Sequence, residues 1–250
     1  MSSSTSPAPG AQHNRATHRP RRRIIAWDPG KDTLIASCTL LAFGGCYFAG
    51  SALGNWFLVL GILLVGTLVP ALTVLRLSGE GWAGLGFTRR LLVTSLIIAA
   101  VLGAGSAYQL IVTAADLQVQ LLPHLLANFL VFWEPLFVFG WLYLRWERAF
   151  GWLPAIFLTS IGFALQHVGS VPLPAALSFG MFALAFSIIF AFVRNLAVLW
   201  PLFYPVASGI GTLQSGLAMG WDEVLSGALI FVVQLSILFF VARGIAKRTA

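Results

Sequence analysis

What most constrains this chain is a succession of apolar stretches that leaves almost no room between them. They run at approximately 33–50, 55–75, 91–114, 121–144, 152–169, 174–193, 196–215 and 222–242. Each has the length, about 17–25 residues, that a helix needs to cross a hydrocarbon core about 30 Å thick. A helix also satisfies its own backbone polar groups, as lipid requires. The expected fold is therefore all-α: a polytopic membrane protein of about eight transmembrane helices. Composition agrees, since only 9% of residues are charged against roughly 25% in soluble domains. The fifth and sixth stretches are short and contain or adjoin proline, so tilted or broken helices are expected there.

The beginning of the chain is different material. Residues 1–27 are rich in Ser, Pro, Ala and Arg and have little to bury, which predicts a disordered basic tail. It lacks the short apolar core and small-residue cleavage site of a signal peptide. Arg21, Arg22 and Arg23 read as an orientation signal or a contact for anionic headgroups, with Trp27 at the interface. The remainder, 28–250, reads as a single transmembrane domain.

The net charge of +7 would suit nucleic acid if it were spread over one surface. Instead the basic residues sit in short clusters at the ends of apolar runs, the pattern of a topology signal, so no nucleic-acid partner is expected. With the N-terminus in the cytoplasm and eight crossings, all 15 Lys and Arg fall on the inner side. The outer loops then hold only Asp116, Asp222 and Glu223. The expectation is a multi-pass protein of the plasma (cytoplasmic) membrane with both termini in the cytoplasm and the lipid bilayer as its first partner. Cys38 and Cys46 are two helical turns apart, about 12 Å, too far for a bridge along one helix. No Cys–His cluster suggests zinc, and no metal or other cofactor is expected.

Against this background one residue stands out. The run Leu121 to Leu144, LLPHLLANFLVFWEPLFVFGWLYL, contains Glu134. A carboxylate at the bilayer centre costs a few kcal/mol on insertion scales, so it faces a protein interior or a wet cavity. Pro135 beside it removes a backbone bond and kinks the helix, which makes room for water. Glu134 then serves either chemistry or packing, the latter through hydrogen bonds to Asn128, His167 or another helix. His167, near the outer end of the fifth stretch, is either a satisfied interfacial side chain or the partner of Glu134 in activating water. Phe163, one turn earlier on the same face, would wall the site. In the seventh stretch Trp200, Tyr204 and Ser208 recur at four-residue spacing. They read as an aromatic stripe packed on neighbours or as cavity groups, with Trp200 as wall and Tyr204 and Ser208 as polar contacts. Asn195 lies in the tight turn before them.

The stretch from about Leu121 to Ile210, with GWAGLGF at 81–87, resembles the CPBP (CAAX protease and bacteriocin-processing, or ABI) intramembrane endopeptidases. That family carries EExxxR, then FxxxH, then a helix with His and Asn four residues apart. Here Glu134 to Gly140 stands at the first motif, Arg145 to Gly151 resembles the basic inner loop, and Phe163 to His167 matches FxxxH. Asn195 to Pro205 resembles the approach to the last motif. The chain departs from the pattern at Pro135 for the second Glu, at Phe139 for the Arg, and at Val206 and Ile210 for the final His and Asn.

The resemblance implies a four-helix catalytic core at about 121–215 and a hydrolase in which Glu134 and His167 activate water. Tyr204, Ser208 or Asn195 would replace the missing oxyanion donors, each typically worth 10²–10³ in rate. The implied substrate is a hydrophobic or prenylated peptide. The alternative is a non-catalytic member of the fold that binds or regulates another membrane protein or a lipid. One Glu and one His are too few ligands for a closed metal site.

Overall fold

The computed structural model describes residues 22–246. Most of the predicted tail, with Arg21, and the last basic pair, Lys247 and Arg248, lie outside the described residues. The described chain forms eight helical segments: α1 (Lys31–Leu53), α2 (Trp56–Leu77), α3 (Leu92–Asp116), α4 (Leu121–Phe150), α5 (Trp152–His167), α6 (Leu173–Val193), α7 (Phe203–Gln214) and α8 (Trp221–Ala246). Six of them, α1 to α4, α6 and α8, are long and apolar enough to cross a membrane.

The other two are shorter than the apolar stretches that contain them, for local reasons. α5 has 16 residues and stops where Val168 turns extended and Gly169 takes φ +87°. α7 has 12 residues and begins late. Arg194 ends α6 in the left-handed region, and Asn195 then caps a 3-10 turn at Leu196–Val198. Pro201 and Pro205 cannot donate the backbone bonds of a helix interior, so regular α-helix starts only at Phe203.

α4 is the centre of the protein. Its first part ends at Leu130, and Val131 leaves helical geometry with φ −75° and ψ 50°. Pro135 is four residues further on: it has no N–H for the Val131 carbonyl, and its ring clashes with that carbonyl. Beyond the break the helix widens into π-type turns over Leu136–Tyr143, and every one of those residues is buried. It is apolar all round, as a helix enclosed on every side must be. At Gly140 a Cβ would lie 2.6 Å from the Leu85 carbonyl oxygen, so the turn at Trp82–Leu85 sits directly on the α4 backbone. The helix continues through Arg145 to Phe150, where a basic loop was expected.

α1, α2 and α5 pack round α4, with α6 on α5 and α7 on the first part of α4; α8 covers α2 and the first part of α4, and α3 lies on α7. α3 and α8 turn much of their apolar surface outward, Leu225, Leu229, Phe239 and Phe240 among it, as lipid-facing helices do.

One end of the bundle holds an ionic network. Arg145 is fully buried; its guanidinium donates to both Glu80 oxygens at 2.6 and 2.8 Å and to the Gly84 carbonyl at 2.9 Å. Arg148 donates to the same carboxylate at 2.8 and 2.6 Å. Glu147 pairs with Arg22 and with Arg194, the latter at 3.1 Å. Residues 22–27, the end of the predicted tail, are held by backbone hydrogen bonds while most of their side chains stay exposed. The Ala26 N–H donates to the Phe150 carbonyl at 2.8 Å and the Trp152 N–H to the Arg23 carbonyl at 3.2 Å. Gly151 permits this with φ +89°, since a Cβ there would lie 2.5 Å from the Ile24 carbonyl oxygen.

Candidate active site

The break in α4 delivers Glu134 to a cavity of about 410 Å³ walled by α1, α2 and α4 to α7, within the range of ligand pockets. The carboxylate has three neighbours from three other helices. The Tyr204 hydroxyl donates a hydrogen bond to Oε2. The Tyr47 hydroxyl, from α1, donates to Oε1 at 3.3 Å. His167 places Nε2 3.6 Å from that same Oε1. The orientation of the imidazole comes from its own helix, because Nδ1–H donates to the Phe163 carbonyl one turn back at 2.8 Å. Rings of Phe163, Tyr47 and Phe179 surround it at 4.7, 4.9 and 4.9 Å.

This arrangement has a protonic consequence. With Nδ1 committed as a donor, Nε2 presents either a lone pair or a second N–H to Glu134. A lone pair facing a carboxylate is repulsive, so the pair is stable with one proton held on one partner or the other.

A second polar cluster, His124, Asn128, Ser208 and Thr212, lies between α4 and α7, and its last three members line the cavity. His124 accepts from the Met219 N–H at Nδ1 (3.1 Å) and donates from Nε2 to the Gly209 carbonyl (3.0 Å). Both ring nitrogens are thereby used, and the ring is the neutral Nε2–H tautomer. Asn128 donates to the His124 carbonyl at 2.9 Å and accepts from the Ser208 hydroxyl at 2.8 Å. This cluster staples α4 to α7 and to the α7–α8 turn.

Of the site residues expected from sequence, Glu134, His167, Phe163, Tyr204 and Ser208 all line the cavity. Asn195 and Trp200 do not. Asn195 accepts from the Ala197 N–H at 3.0 Å and donates to the Thr88 and Arg90 carbonyls at 2.8 and 3.1 Å, which commits it to the turn. Trp200 donates to the Phe129 carbonyl at 3.0 Å and packs on Phe129, Phe132 and Phe231. Its four-residue spacing from Tyr204 placed it on the same face only if both were helical, and the helix starts at Phe203. Val206 and Ile210 point away from the cavity, packing with Leu110 and Ala114 of α3.

Tyr47 is the member that sequence reasoning missed. It lies in α1, far from the 121–215 core, and belongs to no motif; its one signal is a phenol inside an apolar helix, which needs a partner when buried. Among the described residues no three His, Cys, Asp or Glu side chains form a metal-ligating group. A cation held here would have Glu134 and His167 as ligands, two where catalytic zinc usually has three. The chain matches no family model, no curated protein and no solved structure.

Proposed function

We propose that this protein is an intramembrane peptidase of the CPBP kind, which hydrolyses a hydrophobic or prenylated peptide with water activated by Glu134 and His167. The observation that carries this function is the Glu134 Oε1 to His167 Nε2 separation of 3.6 Å at the wall of a cavity. That is too long for a direct hydrogen bond and too short for a water in line. A water touching both atoms sits at the apex of a triangle on the cavity side, where a substrate carbonyl would also lie. Glu134 takes its proton as base, and His167 returns a proton to the leaving amine. On α7 the cavity face carries Tyr204 and Ser208, four residues apart, the spacing of the family's final His and Asn. Their hydroxyls are the candidate donors to the oxyanion, each by turning its one proton from the acceptor it now serves, Glu134 for Tyr204 and Asn128 for Ser208.

The proposal includes eight crossings of the plasma membrane with both termini in the cytoplasm. In that topology every Lys and Arg lies on the inner side. It requires α5 and α7, with the irregular segment before α7, to traverse the bilayer inside the bundle; non-helical backbone is tolerated at depth where protein buries it, as it does at Leu196, Val198 and Leu199.

The test is hydrolysis of a quenched fluorogenic apolar peptide by the purified protein in proteoliposomes. Glu134→Gln and His167→Ala are each expected to lower the rate at least about 100-fold, with the protein still folded. Unchanged turnover in either variant would end the proposal. One observation favours a second function, as a binding or regulatory partner of a membrane protein or lipid: both Glu134 oxygens already have phenol donors, as in a satisfied structural group. Wild-type protein without any hydrolysis, and with ligand binding unaffected by Glu134→Gln, would support that function instead.

A further inference from the structure

The mouth of the Glu134 cavity and the basic residues occupy opposite ends of the bundle. All ten Lys and Arg among the described residues lie at 22–31, 76–90, 145–148, 194 and 243. Contacts tie these segments together at one end: Arg145 and Arg148 to Glu80 and Asp32, Arg22 and Arg194 to Glu147, and Arg76 to the Val241 carbonyl. The cavity rim is built from the other ends of the same helices. Ser51 and Asn55 come from the α1–α2 turn, Ser170 from the α5–α6 turn, and Leu217 and Met219 from the α7–α8 turn. The charged groups near those turns are acidic only, Asp116, Asp222 and Glu223.

The lining has a second property. Among the described residues that form it, Glu134 is the one carboxylate, His167 the one imidazole, and no Lys or Arg takes part. Phe163, Phe179, Phe182 and Phe186 supply much of the wall. A ligand bringing a carboxylate or phosphate inward would meet Glu134 with no separate cation to offset it, and a desolvated unpaired anion is costly.

We infer that the cavity is reached from the extracytoplasmic face and takes an apolar, uncharged stretch of peptide, not a chain end with a free carboxylate. The choice of peptide rests on the peptidase proposal; the side of access rests on the charge distribution and the positive-inside rule.

Two labelling experiments separate these points. With Cys38 and Cys46 replaced by Ala, single variants Ser51→Cys, Leu217→Cys and Arg90→Cys are treated with a membrane-impermeant sulfonated maleimide in right-side-out vesicles. Ser51→Cys and Leu217→Cys are expected to react in sealed vesicles, and Arg90→Cys only after detergent. The reverse pattern overturns extracytoplasmic access, whatever the chemistry at Glu134. For the ligand, Ser208→Cys inside the cavity is labelled in detergent with and without an N-acetylated, C-amidated leucine-rich decapeptide, and with its free-acid form. The amidated peptide is expected to slow labelling about tenfold or more at a concentration where the free acid gives less than about twofold. Equal protection by both, or by neither, overturns the ligand class. Repeating the protection in the Glu134→Gln background, with turnover read separately in the Glu134→Gln variant that keeps Ser208, distinguishes binding from hydrolysis: protection retained with turnover lost supports both proposals, and protection retained with turnover unchanged removes the peptidase alone.

Discussion

Replacing Glu80 by Gln tests how the central helix is anchored. Arg145 lies on α4 eleven residues beyond Glu134, and its side chain is 0% exposed. Glu80 binds both terminal nitrogens of its guanidinium, at 2.6 and 2.8 Å. The substitution leaves a buried cation with Asp32 at 3.3 Å and the Gly84 carbonyl at 2.9 Å as remaining partners. Removing one partner of a buried pair typically costs about 3–5 kcal/mol. The two surviving contacts and the amide oxygen of Gln place the expected loss at the lower end, about 3 kcal/mol. The comparison is Arg148→Ala, which removes the other guanidinium from the same carboxylate. Arg148 is 56% exposed, so that pair is worth about 1 kcal/mol or less. Reversible unfolding in mixed micelles, followed by tryptophan fluorescence, measures both. A loss for Glu80→Gln below about 1 kcal/mol, or a loss for Arg148→Ala equal to it, would refute the assignment of Arg145 as the buried member that matters. The same pair gives a pH dependence. Burial acts to raise the Glu80 carboxyl, but hydrogen bonds from Arg148 and Arg145, with their charges, outweigh it and hold the group well below the usual carboxylate range. Its folded value is depressed, so its stabilisation is complete above the unfolded value of about 4.3 and is lost as pH falls below it. The gap between wild type and Glu80→Gln is therefore expected to be flat from about pH 8 to pH 5 and to close in stronger acid.

Three further outcomes follow from the packing. Gly140→Ala drives a Cβ to 2.6 Å from the Leu85 carbonyl oxygen and is expected to cost about 1–3 kcal/mol in the same unfolding assay; Gly105→Ala, which meets nothing within 4 Å, is the near-neutral control. His124→Ala leaves the Met219 N–H without its partner and the Gly209 carbonyl with the Thr212 hydroxyl as remaining side-chain donor, with an expected loss of about 1–3 kcal/mol and a rise in hydrogen exchange at Met219. Tyr204→Phe removes a fully buried bond to Glu134 and should destabilise by about 1.5–3 kcal/mol, more than Tyr47→Phe, whose bond is part-buried and 3.3 Å long; equal losses would mean that the two phenols hold the carboxylate alike.

The positions of the helices were legible because apolar length is a local property, and each of the eight stretches contains one helix. Their ends were not. α4 runs on through Arg145 and Arg148 because the rest of the fold supplies Glu80 and Asp32 to neutralise them; hydropathy alone stops the segment at the first charge. α7 starts late because two prolines and the Asn195 turn oppose an apolar run that looks continuous. The spacing argument fails for Trp200 as a result, since a four-residue spacing puts side chains on one face only within a helix; Asn195 lies in the expected turn, but its side chain is spent on that turn.

The sequence by itself determined that the protein is helical, apolar and polarised in charge, and that Glu134 must be sheltered, because the transfer cost of a carboxylate does not depend on where the chain goes next. Only the tertiary structure decided who shelters it. Tyr47 and Tyr204 lie 87 and 70 residues from Glu134 in the chain. Whether such residues meet depends on the rotation of each helix about its own axis and on a break in α4, set by packing over whole helix surfaces. No single stretch of sequence contains that information.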